Sequence, residues 1–146
     1  MLLLVSLFAI AAAKGPAPVA PKPEPAVRVC QAVAVTSPEA PGQKRPLFSS
    51  TRIMDLEFRV AVKRRVEGFH SVRFKLYTPN GHLYQELSVP FNAGGKKGDA
   101  PQVAARLPVA GTSITTSSLF GRWRVEPHLD GDLTPCGAAT RFWSTE

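Results

Sequence analysis

The chain is poor in the residues that chemistry most often needs: 146 residues include 2 Cys, 3 His, 2 Trp and 2 Tyr. His70, His82 and His128 are far apart in sequence and show no zinc-ligand spacing, so all three are expected at the surface. Neither Cys has a His or a second Cys at metal or redox spacing. There is no Gly-x-Ser-x-Gly elbow, phosphate loop or dinucleotide fingerprint. The hydroxyl-rich run Thr112-Ser-Ile-Thr-Thr-Ser-Ser118 has no base placed to activate it. Asp55, Glu57, Glu67 and Glu86 are scattered over alternating faces and form no general acid–base pair. No catalytic activity, cofactor or metal is therefore expected. Asp130-Gly-Asp132 offers two hard oxygen ligands, but calcium wants six to eight, and the dipeptide reads as a turn.

Acidic residues are also in the minority, 11 against 18 Lys and Arg, which leaves a net charge of +7. A basic balance favours anionic partners such as lipopolysaccharide, acidic glycans or teichoic acids, with nucleic acid less expected. The apolar run Leu2-Leu-Leu-Val-Ser-Leu-Phe-Ala-Ile-Ala-Ala-Ala13 is too short to cross a bilayer, which takes about twenty residues. It matches the core and small-residue cleavage site of a secretory signal peptide, with Ala11 and Ala13 at the small positions, although no Lys or Arg precedes it. Residues 14–26 follow with Pro16, Pro18, Pro21, Pro23 and Pro25, an extended, semi-rigid linker. Residues 27–146 then suit one domain with a modest core, exported to the periplasm, envelope or exterior. In that compartment the two cysteines read as one disulfide, Cys30–Cys136.

No window carries a helical stripe; period-two alternation takes its place. Leu56, Phe58, Val60 and Val62 alternate with polar or small residues, as do Val72, Phe74 and Leu76, and then Trp123, Val125 and Leu129. Thr78-Pro-Asn-Gly81 is a tight turn, Gly68 another break, and 38–45 and 92–99 are loops, the second charged and glycine-rich. Seven strands are expected near 27–36, 53–65, 70–78, 82–90, 102–110, 121–129 and 137–144, giving an all-β, single antiparallel β-sandwich. If Val27, Val29, Val33 and Val35 face inward, Cys30 points outward and the disulfide lies at the sandwich edge.

The strand count, the Gly-x-Trp strand near the end and the closing hairpin resemble immunoglobulin-like or fibronectin type III-like domains of secreted bacterial proteins. The resemblance covers most of 27–146. It departs from the antibody pattern in its cysteines, which lie near the two ends of the domain rather than on two central strands.

The outward basic positions carry the functional expectation. Arg59, Lys63, Arg73, Lys75, Arg122 and Arg124 belong to three strands, and a fibronectin-like order makes the strands near 70–78 and 121–129 neighbours. Arg73, Lys75, Arg122 and Arg124 then share a face with Tyr77, a surface for a protein or an anionic envelope polymer. Trp123 is expected in the core. Trp143 alternates with Phe142, so one of them is exposed; an exposed Trp143 with Tyr77 gives a rival reading, a carbohydrate-stacking platform. The signal-peptide reading is checked by the mass of the secreted protein, which is expected to begin at Lys14; a mass that retains 1–13 contradicts it.

Overall fold

The alternation closes into two sheets. A computed structural model describes residues 28–63, 66–94 and 100–146; the expected signal segment, the proline-rich linker, Arg64, Arg65, Lys96 and Lys97 lie outside the described residues. The elements run β1 (Ala34–Thr36), β2 (Leu47–Ser49), β3 (Asp55–Ala61), β4 (Phe69–Tyr77), β5 (Leu83–Asn92), β6 (Gln102–Pro108), α1 (Ser113–Thr116), β7 (Gly121–Leu129) and β8 (Thr140–Thr145). One sheet has the order β1-β3-β6, the other β2-β8-β7-β4-β5. The class is all-β and the architecture that of a sandwich, as expected. Among the described residues no helix is long and apolar enough to cross a membrane.

The apolar halves of the alternating strands supply the core. Leu56, Phe58, Val60 and Val62 line β3 and its extension, Val72, Phe74 and Leu76 line β4, and Trp123, Val125 and Phe142 line β7 and β8, all buried. Burying a large apolar side chain contributes about 1.5–3 kcal/mol. The β4–β5 turn is built as expected: Gly81 takes φ +84°, its N–H donates to the Thr78 carbonyl, and Thr78 N–H donates to His82.

Three expectations need correction. Among the described residues there are eight strands, not seven, because Leu47–Ser49 adds an edge strand. That strand lies parallel to β8, with Leu47 opposite Trp143, so the sandwich is not wholly antiparallel. The strand expected over 27–36 is interrupted: Cys30 makes an isolated bridge to Val62, and the ladder resumes only where Ala34 meets Arg59. Three residues, 31–33, thus lie opposite two, Val60 and Ala61, which is a β-bulge.

The bulge also overturns the placement of Cys30. One extra residue resets the parity, so that Cys30 and Val33 both point inward, each 3% exposed. Cys30 bonds to Cys136 across a sequence separation of 106, with Cα atoms 5.1 Å apart. The Cys30 N–H donates to the Cys136 carbonyl at 2.8 Å, and Cys136 N–H donates to Pro127 at 2.8 Å. Edge strand and closing hairpin are therefore fastened covalently and by backbone. The next residue must be glycine: a Cβ at Gly137 would stand 2.6 Å from the Gln31 carbonyl oxygen and 2.8 Å from that of Cys30.

Two outcomes follow for chemical denaturation. Cys30→Ser with Cys136→Ser is expected to lose about 4–5 kcal/mol of stability, from loop closure in the chain-entropy model. Gly137→Ala is expected to cost about 1–3 kcal/mol with the disulfide still formed, by overpacking against backbone. An unchanged midpoint in Gly137→Ala would show that the seam yields freely.

Candidate recognition face

The outer face of the five-stranded sheet gathers the basic residues into rows. Pairing sets Leu47 beside Trp143 and Trp143 beside Arg122. The next row runs Arg141, Arg124, Tyr77, Leu83. Below it stand Glu126, Lys75 and Glu86, then His128, Arg73 and Ser88. Strands in such a sheet lie about 4.8 Å apart, so each row is a continuous surface. Arg73, Lys75, Tyr77, Arg122, Arg124 and Trp143 are all on this one face. Arg59 is not: it lies on the opposite sheet, where Glu57 takes both Arg59 and Arg106, the latter at 3.4 Å.

The lower half of the face neutralises itself. Glu86 lies 3.5 Å from Arg73 and 3.6 Å from Lys75. Glu126 lies 2.7 Å from Arg124, its carboxylate only 13% exposed. The upper half differs: among the described residues no carboxylate comes within 4.0 Å of Arg122 or Arg141. Arg124 and Arg141 stand directly opposite one another, a like-charge pair that costs stability.

The aromatics divide the same way. Trp143 is 47% exposed while Phe142 is 1% and Trp123 is 1% exposed. Tyr77 is half-buried, and the Arg124 guanidinium sits 4.2 Å from its ring centroid, a cation–π contact. Burial, and then the charge of Glu126, hold the Tyr77 phenol above its usual range. The surface expected for Tyr77 is thus already occupied by Arg124.

The histidines do not behave alike. His82 is exposed, but His128 is 2% exposed, contrary to expectation. The connection after β7 folds over it: His128 Nδ1 is 2.8 Å from the Asp132 carbonyl oxygen, to which it donates. His70 is half-buried and clasped at both nitrogens, with Nδ1 2.5 Å from Asp130 Oδ2 and Nε2 2.7 Å from the Glu67 carbonyl. Both partners only accept, so the ring that satisfies them carries two protons. The bond to Asp130, then that to Glu67, raises the His70 pKa above 6.5, and His70 in turn lowers that of Asp130 below 3.8. Asp130 Oδ1 accepts from Ser71 N–H and Asp132 Oδ1 from Thr134 N–H, so this Asp-Gly-Asp turn spends its oxygens on protein donors.

Arg141 and Leu47 belong to the face but were not singled out above. Arg141 shares the parity of Trp143 in Thr140-Arg-Phe-Trp143, a signal that was present in the sequence. Leu47 arrives through a parallel pairing with a strand some hundred residues on, which no local pattern announces.

No protein-family model matches the chain, and no curated protein matches it.

The clasp predicts a pH window. His70 contributes stability that is complete below its unfolded value near 6.5 and is lost as pH rises through the raised folded value. Asp130 contributes stability present above 3.8 and lost as pH falls through its lowered value. The stability gap between the native chain and His70→Gln is therefore expected to be widest between about pH 4 and 6.5 and to shrink above it. A gap that is constant from pH 5 to 9 in thermal melts contradicts the clasp.

Proposed function

We propose that this chain is a non-enzymatic, exported immunoglobulin-like module of the cell envelope, which acts by surface recognition of a protein or an anionic polymer. The working surface is the upper half of the outer face, Arg122, Arg141 and Trp143, with Arg124, already paired to Glu126, between them. The observation that carries the reading is the coexistence there of an exposed tryptophan with two arginines that lie beyond the reach of the described carboxylates. Trp and Arg dominate binding energy at recognition surfaces because they bring large contact area and directed charge. The cysteine pair supports export, since such bonds persist in oxidising compartments.

The carbohydrate reading keeps one observation in its favour, the exposure of Trp143. It loses the second half of its platform, because Arg124 covers Tyr77.

Retention of the purified chain on isolated envelope material tests the proposal. Arg122→Glu with Arg141→Glu is expected to lower retention about tenfold or more, an effect of hot-spot size, whereas Arg59→Glu on the other sheet leaves it unchanged. Equal retention of all three proteins contradicts the proposal.

A further inference from the structure

We infer that the upper corner of this face takes an acidic segment of a partner protein, with one bulky apolar side chain seated beside Trp143 and carboxylates on Arg122 and Arg141. The inference rests on the outer-face reading above and names the occupant of that surface.

Two concavities lie at this corner. One, of about 420 Å³, is walled by Arg45, Pro46, Leu47 and Trp143. The other, of about 270 Å³, brings Arg122, Arg124 and Arg141 together beside Tyr77 and Pro79. They lie on either side of the Trp143–Arg122 pair, since Trp143 has Leu47 on one side and Arg122 on the other. An occupant that fills both must carry an apolar group next to anionic ones.

The chemistry of each half narrows the choice. The one charged wall, Arg45, is a cation suited to a carboxylate, and Pro46 and Leu47 are apolar. Both are exposed in the free protein, Leu47 by 44%, and an apolar side chain would cover them. On the other side, guanidinium forks match carboxylates two bonds at a time. A carboxylate placed between Arg124 and Arg141 also removes the repulsion of their direct cross-strand pairing. Of the three arginines Glu126 reaches only Arg124, at 2.7 Å, and its other oxygen faces His128. A uniform polyanion would use the arginines and leave the groove beside Trp143 empty; an acidic peptide with an apolar anchor uses both. The groove also lies at β2, an edge strand of the sheet, whose outer side has no strand partner among the described residues.

Tryptophan fluorescence of the whole, oxidised chain tests this directly. Trp123 is 1% exposed, so collisional quenching by acrylamide reports on Trp143. The probe is a synthetic peptide of Asp and Glu around one central Phe, compared with its Phe→Ala form, its Asn/Gln form and an oligogalacturonate. The acidic peptide with Phe is expected to shield Trp143, and both altered peptides to bind about tenfold more weakly. Arg122→Gln and Arg141→Gln are each expected to weaken it by about the same factor and to flatten its salt dependence. If the altered peptides bind as well as the parent, the inference is overturned. If oligogalacturonate shields Trp143 and no peptide does, the occupant is a glycan; the inference then fails while the outer-face reading stands. If no probe shields Trp143 and the Arg122→Glu, Arg141→Glu protein is still retained on envelope material, both fail.

Discussion

The molecule hangs on the stacking of Trp123 against Phe142 between the two sheets. Their rings lie 6.0 Å apart and nearly parallel, with Phe58 of the facing sheet 5.7 Å from Phe142. Tyr84 meets Trp123 edge-on, and the Trp123 Nε1–H donates to the Leu119 carbonyl at 3.0 Å. Such aromatic pairs add about 0.5–1.5 kcal/mol beyond their buried area. Their larger effect is on direction. Successive strand side chains point to opposite faces, so burying Trp123 and Phe142 turns Arg122, Arg124, Arg141 and Trp143 outward. The proposed recognition face is the reverse side of the core.

That core sits between sheets of unequal width, and the seams hold the wider one in place. On one flank the disulfide joins Cys30, near the edge strand β1, to the connection that leads into β8. The bulge at 31–33 makes this possible, because without its extra residue Cys30 would face solvent. On the other flank β2 pairs with β8, and Ser50 N–H donates to the Thr145 carbonyl at 2.8 Å. At the far end of β4 and β7 the His70–Asp130 clasp ties the first residues of one strand to the turn that follows the other. Each fastening joins residues distant in sequence, as a fold built on non-local pairs requires.

Strand positions and inward residues were legible because burial on one face leaves a period-two trace. Phe58, Phe74, Trp123 and Phe142 all follow it, and so does the shared face of Arg73, Lys75, Arg122 and Arg124. What escaped the sequence depends on partners far along the chain. The bulge that turns Cys30 inward is defined by its mate at Val62, and the burial of His128 by a loop folding back over an outward position. The three residues of β2 are too short for any alternation to show. Charge was legible only as a count: that Glu86 and Glu126 quench Arg73, Lys75 and Arg124, while Arg122 and Arg141 stand apart, needs the register of three strands.

A sandwich of this design presents two outer faces, and the proposed recognition falls on one. On the three-stranded sheet Glu57 is shared by Arg59 and Arg106. On the five-stranded sheet an apolar groove and a set of arginines share a corner. The most direct measurement is photo-cross-linking in native envelope material, with benzoylphenylalanine placed either at Leu47 on the wider sheet or at Ala104, exposed on the narrower one. A discrete adduct is expected from position 47 and none from 104. Adducts from 104 alone, or equally from both, would contradict the proposal.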